Sequence, residues 1–252
     1  MKYQNCFLLV SLIFWGCTFQ GEIRGQVKTD FVNPFIGTAP SNQFSMWDGH
    51  GRTYPGAVAP NGFVQLTPET GVAIEKGYDY RDSTIGFFSC MGHFSGYPNG
   101  SSGWCHVMPV EHNPDFQIYR DGRPFSHEHE KAVPGYYKVV FNDNSTTVEA
   151  TATPRAGFFR FHITEKVKPC IFVGDIGRME WGPGPVIKGS RRNTILAFNR
   201  QWLEVKQVKQ GLVLVFDKKD RQSLQLKISS STVGFENARD NLEQEMDGWD
   251  FD

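Results

Sequence analysis

Four carboxylates, Asp48, Asp82, Glu128 and Glu130, are candidates for general acid and base work. Hydrolysis of a glycosidic bond with inversion needs two carboxyl groups roughly 6.5–9.5 Å apart, one protonated and one activating water. On an extended strand Glu128 and Glu130 share a face about 7 Å apart, so spacing alone admits them. No charged partner of known position perturbs either group, and surface carboxylates are far commoner than catalytic ones. His127 and His129 share a face in the same way and could ligate a metal. Cys90-x-x-His93 with Cys105-His106 imitates a zinc pattern. Adjacent residues on a strand point to opposite faces, which argues against Cys105 and His106 acting together. Ser95 lies near His93 but has no orienting carboxylate, so the pair makes no triad.

Sugar recognition fits the residue types better. A pyranose offers an apolar C–H face to an aromatic ring and hydroxyls to carboxylate, imidazole and guanidinium groups. Trp47, Asp48, His50, Arg52, Tyr54, His93, Ser95 and Trp104 form a candidate rim of this kind. Trp47 and Trp104 could equally pack, and Tyr54 could brace the Pro55-Gly56 turn, since Trp and Tyr are intermediate in burial. Five of the eight lie in or just ahead of Gly49–Thr70. That stretch carries the turn signals Pro55-Gly56, Pro60-Asn61-Gly62 and Pro68, which predict a tightly folded backbone.

The elements that must hold this rim show a period of two. Tyr137, Val139 and Phe141 alternate with polar or exposed neighbours, as do Val148, Ala150 and Ala152, then Phe159, Phe161 and Ile163, then Leu224, Leu226 and Ile228. Such alternation belongs to half-buried antiparallel strands. The apolar runs Ile171–Val173 and Leu212–Phe216 predict strands covered on both faces. Lys209-Gln210-Gly211 predicts a hairpin between Leu203–Val208 and Leu212–Phe216. Asp30–Thr38 reads as a short strand ending in a turn. Many short strands with turns between them point to an all-β antiparallel sandwich. Phe235, Ala238, Leu242 and Met246 recur at helical spacing and predict one amphipathic helix, followed by Trp249 and Phe251 with nothing after them to bury against.

The charge excludes one class of partner. With 26 Lys and Arg against 27 Asp and Glu, interleaved and without a basic block, the chain is not a nucleic-acid binder. Residues 1–25 read as an export signal: Lys2 is followed by the apolar Phe7–Trp15, far short of the roughly 20 residues a membrane span requires. Phe14-Trp15-Gly16-Cys17 loosely matches a lipobox, in which Cys17 would be lipidated; cleavage near Gly25 or Gln26 is the alternative. Export to the periplasm or cell surface permits disulfides. Cys90 and Cys105 could pair and leave Cys170 as a buried thiol, but three thiols do not fix a connectivity.

An ordered series of motifs resembles the N-terminal domain of glycoside hydrolase family 92. It runs through Val32-Asn33-Pro34-Phe35-Ile36-Gly37-Thr38, Gly49-His50-Gly51-Arg52-Thr53-Tyr54-Pro55-Gly56-Ala57 and Val64-Gln65-Leu66-Thr67-Pro68. Gly77-Tyr78-Asp79-Tyr80, His93-Phe94-Ser95-Gly96, Phe125-Ser126-His127-Glu128-His129-Glu130 and Ala152-Thr153-Pro154-Arg155 follow, and Glu236-Asn237-Ala238-Arg239 and Gly248-Trp249-Asp250-Phe251 close it. The resemblance implies a supersandwich of the galactose-mutarotase-like type over 28–234. Residues 235–252 would then begin a linker helix toward an (α/α)6 catalytic barrel absent from the chain.

It also implies an exported, calcium-dependent, inverting exo-α-mannosidase whose acid, base and most calcium ligands belong to that barrel. Its substrate would be a glycan with terminal α-mannose. The departures fall on loops that face the sugar in the family: Ala39–Trp47 is longer than usual, Arg52 stands where members often carry His, and Asn99–Trp104 lacks the usual Gly-Thr-Gly. Two other functions remain open, a standalone glycan-binding lipoprotein and an inactive truncated product. The stripe from Phe235 to Met246 with Trp249 and Phe251 is the feature that separates them, because a self-sufficient module would not leave it uncovered.

Overall fold

The computed structural model describes residues 28–40, 53–71, 77–91, 103–110, 122–222 and 224–252. Its strands, in chain order, are β1 (Ala57–Val58), β2 (Gln65–Thr70), β3 (Thr84–Met91), β4 (Trp104–Val110), β5 (Arg123–Val133), β6 (Tyr136–Phe141), β7 (Thr146–Ala152) and β8 (Ala156–Ile163). They continue as β9 (Cys170–Gly174), β10 (Met179–Trp181), β11 (Val186–Gly189), β12 (Thr194–Phe198), β13 (Glu204–Val208), β14 (Gly211–Val215) and β15 (Leu224–Ser229), and the helix α1 is Phe235–Glu245. The pairings among the described residues are antiparallel. One layer runs β10-β11-β12-β15-β8-β7-β6-β5 and the other β1-β2-β3-β4-β9-β14-β13. β5 belongs to both: Arg123 and Pro124 pair with β3, and the rest of the strand turns to β6. The architecture is the all-β sandwich that the period-two pattern predicts.

The core is the space between the layers. Phe88 of β3 meets Tyr137 of β6 and Phe159 of β8 edge-on, at ring separations of 6.2 and 5.8 Å. Close approach is secured at Gly157, where a Cβ would lie 2.8–2.9 Å from the Leu66 side chain of the facing layer. Gly157→Val is therefore expected to destabilise the fold by ~1–3 kcal/mol through overpacking. In urea unfolding, the Gly157→Val/Leu66→Ala double variant should lose less than the sum of the two single losses; simple additivity would disprove the contact.

The predicted strands at β6, β7, β8, β9, β14 and β15 are present, and Lys209-Gln210 is the hairpin turn, with Val208 facing Gly211. Gly211 cannot carry a side chain because a Cβ would sit 2.1 Å from the Val173 carbonyl oxygen. Three expectations are corrected. Asp30–Thr38 is no strand: a 3-10 turn over Lys28–Phe31 leads into linked turns, in which the Asn33 carboxamide accepts from Phe35 N at 3.0 Å and Gly37 takes φ 81°. Pro68 is no turn but the middle of β2, opposite Phe88. Among the described residues β1 pairs only with Gln65 and Leu66, so Pro68 has no strand partner on that side and its missing N–H is tolerated.

The third correction concerns Trp249 and Phe251. They fold back on the outer face of the β8 layer, both rings edge-on to Phe158 at 5.9 and 5.2 Å. Lys227 lies under Trp249 and donates to Met246 O at 2.6 Å, while Arg160 covers the Phe251 ring at 4.3 Å. Glu245 accepts from Thr153 Oγ1 at 2.6 Å and from Arg155 N at 2.8 Å. The stripe is covered in part: Ala238 and Met246 are buried, Phe235, Leu242 and Phe251 half-buried, and Trp249 exposed. No helix among the described residues is long and apolar enough to cross a membrane.

Candidate carbohydrate-binding face

The turn-rich stretch is built on close backbone approach. At Gly56 a Cβ would meet Leu66 O at 2.1 Å, so Tyr54-Pro55-Gly56 can lie flat against β2 only with glycine there. Gly62 N donates to Ala59 O at 2.9 Å across Pro60-Asn61, with Asn61 at φ 57°, and Phe63 N donates to Pro154 O at 2.6 Å. Tyr54, half-buried, donates its hydroxyl to Gln65 Oε1, and Gln65 Nε2 donates to Gly62 O at 3.0 Å. Burial pushes the Tyr54 phenol up to about 12. It is a fixed hydroxyl, not a proton shuttle.

Trp104 takes the packing alternative. It is 2% exposed, tilted against Phe63 at 5.8 Å, and capped by the Arg192 guanidinium 4.1 Å from its ring. Arg192 reaches this place from a left-handed backbone, φ 52°, and burial followed by neighbouring Arg191 lowers its pKa. The Trp104 indole N–H has no acceptor among the described residues. Tyr54 and Trp104 thus stand on Gln65 and Phe63, two residues apart at the entry to β2. Trp47, Asp48, His50, Arg52, His93 and Ser95 lie outside the described residues, as does Cys17.

Beside Trp104 is a buried polar pair that the sequence did not single out. Glu69 accepts from Ser89 Oγ at 2.5 Å and from Gly103 N at 3.1 Å, while its Oε2 meets the hydrogen-bond criteria with no partner among the described residues. Burial pushes its carboxyl up to about 7. His106 donates from Nε2 to Gly103 O at 3.0 Å and stacks on Phe87 at 3.9 Å. Burial pushes it down to about 4, partly offset by Asp175. A strand Glu between a proline and a threonine carries no sequence signal of such an environment.

Glu128 and Glu130, whose spacing admitted them as a couple, are parted by an irregularity in β5. Phe125 faces Phe141 but Glu130 faces Val139, so β5 carries three extra residues and the period of two fails between them. His127 Nδ1 consequently meets Glu130 Oε2 at 2.6 Å, and its Nε2 meets Tyr80 O at 2.7 Å. Glu130, its side chain fully buried, also accepts from Tyr137 OH at 2.6 Å and Tyr78 OH at 2.9 Å. Glu128 is exposed. Asp82 accepts from Thr70 Oγ1 at 2.9 Å. These carboxylates hold the motif segments together; no group of three His, Cys, Asp or Glu among the described residues could hold a metal ion.

Residues 31–183, more than half of the chain, match the glycosyl hydrolase family 92 N-terminal domain. The chain belongs to this family. The family 92 sandwich is similar to the inverting mannosidase BT2199 from Bacteroides thetaiotaomicron, with a TM-score of 0.75 and 24% identity over 90% of this chain and 35% of that one. It is similar to the GH92 α-mannosidase BT3965 from the same organism, with a TM-score of 0.68 and 24% identity over 88% and 35%. The GH92 glycosyl hydrolase ccman5 gives 0.71 and 21% over 88% and 35%. At these identities the likeness is one of fold, and the chain spans 35% of the length of each. No curated protein matches the sequence.

Proposed function

We propose that this chain is the N-terminal β-sandwich domain of an exported α-mannosidase, where it supplies carbohydrate contacts to the hydrolysis of terminal α-mannosyl residues of glycans. The observation that carries this reading is the family 92 match over residues 31–183, joined to a sandwich that overlays about a third of known GH92 mannosidases. In this role Trp47, Asp48, His50, Arg52, Tyr54, His93 and Ser95 would form one wall of the sugar site, while Trp104 is buried against Phe63 and Arg192. Acid and base belong to a helical domain, since Glu130 and Asp82 are committed to structural hydrogen bonds. Calcium, which the family reading implies, would take most of its ligands from the same helical domain, and no step is derived through it. Residues 1–25 would direct export and Cys17 would carry the lipid anchor.

The purified chain, supplied with calcium, is expected to hydrolyse aryl α-mannosides no faster than the uncatalysed background, because preorganised acid, base and metal supply most of the rate. Appreciable turnover would overturn the placement of catalysis outside this domain. A second reading, a glycan-binding lipoprotein that acts alone, is favoured by the docking of Trp249 and Phe251 onto Phe158. Titration with mannan separates the two: binding by the chain alone, lost in His50→Ala, supports the second.

A further inference from the structure

We propose that Cys90 and Cys105 are joined by a disulfide that ties β3 to β4 at the start of the latter, leaving Cys170 as a single thiol. The pairing is not what a regular ladder would give. Phe88 faces Val107, but Cys90 faces Trp104, so β4 has one residue more than β3 over this interval and carries a bulge. In an unbroken strand Cys105 would point to the face opposite its neighbour Trp104, and therefore away from Cys90. The bulge places two β4 residues against one on β3.

Cys105 takes φ 59°, a left-handed backbone that residues other than Gly, Asn and Asp seldom adopt. Its N–H points away from β3 and donates to Asp175 O, just beyond β9, at 3.1 Å. Its thiol is thereby brought within hydrogen-bonding reach of the Cys90 thiol. Gly103 completes the approach: a Cβ there would lie 2.2 Å from Cys90 O, so only glycine lets the two strands close at this point. Cys170, on β9, faces Val110 and Val215 instead.

Both partners are buried, Cys90 at 0% and Cys105 at 1% exposure, so the bond forms before the sheets close. One thiolate attacks the disulfide of a thiol–disulfide oxidoreductase and expels one of its thiolates. The second cysteine, as its thiolate, then attacks the mixed disulfide, forming the Cys90–Cys105 bond and releasing the reduced dithiol. Two electrons pass to the oxidant, and the two protons released by the cysteines end on its thiols. The ring encloses the fourteen residues 91–104, and burial then protects the bond from reductant.

The full chain, refolded in a glutathione redox buffer, alkylated in denaturant without reduction, digested and analysed by mass spectrometry, should yield linked Cys90 and Cys105 peptides and alkylated Cys170. Alkylation of all three, or a link to Cys170, would overturn the proposal. A structural role predicts in addition that dithiothreitol present during unfolding lowers Tm by roughly 6–12 °C. That sensitivity should persist in Cys170→Ser and vanish in Cys90→Ala/Cys105→Ala; a Tm indifferent to reductant in the wild type also sinks the idea.

Discussion

Glu130→Ala is expected to cost ~3–5 kcal/mol of folding stability, the range for removing one partner of a buried charged network. The carboxylate is fully buried and takes hydrogen bonds from Tyr78 OH, Tyr137 OH and His127 Nδ1, so truncation strands three polar groups at once. Tyr137 is itself fully buried, and water cannot replace the lost acceptor without opening the core between β5 and β6. Glu130→Gln should be milder, ~1–2 kcal/mol, because the amide oxygen still accepts and a tyrosine hydroxyl can turn to accept from the amide N–H. Urea unfolding of the two variants is the check. A loss below about 1 kcal/mol for the alanine variant, under the cost of even one stranded buried group, would contradict the network.

How far the sequence could be read depended on how regularly each strand alternates. β6, and β8 from Phe159 onward, alternate buried with half-buried residues, so Tyr137, Val139 and Phe141, or Phe159, Phe161 and Ile163, were legible by period alone. β4 is buried throughout, and its run of Trp, Cys, His, Val, Met, Pro and Val has no alternation to detect. β5 hides its register behind three extra residues, which is why His127 pairs with Glu130 rather than sharing a face with His129. β15 should expose Lys227 and Ser229, but α1 and the closing Trp249–Phe251 segment cover that face and bury both. The candidate site was legible as a set of residue types clustered near turns. Its depth was not: nothing in the order of residues separates a tryptophan on an open rim from Trp104 beneath Arg192.

The buried pair on either side of Gly103 gives the second large effect, one that the wild-type chain conceals. Glu69 receives the Gly103 N–H and His106 donates to the Gly103 carbonyl, so one residue links two groups whose charged forms burial disfavours. The Glu69 carboxyl titrates at about 7 when folded, against an ordinary 4.5. Between those values the folded chain keeps a proton that the unfolded chain has lost, and stability falls as pH rises. The imidazole titrates at about 4 when folded, against an ordinary 6.5. Between those values the unfolded chain binds a proton that the folded chain refuses, and stability rises with pH. Each slope is about 1.4 kcal/mol per pH unit, so each group is worth about 3 kcal/mol across its window.

From pH 4.5 to 6.5 the two slopes oppose and cancel in the wild type. Glu69→Gln removes the Glu69 limb and leaves that of His106, so stability should climb about 3 kcal/mol relative to the wild-type profile between pH 4.5 and 7. His106→Gln removes the His106 limb and leaves that of Glu69, with a relative fall of similar size between pH 4 and 6.5. Other titrating groups contribute equally to all three chains, so the differences between urea-unfolding profiles are the readout. Two variants that tilt in opposite directions would establish the pair as uncharged in the folded state near pH 5.5, whereas two that both follow the wild type would mean that neither group is desolvated as its burial indicates.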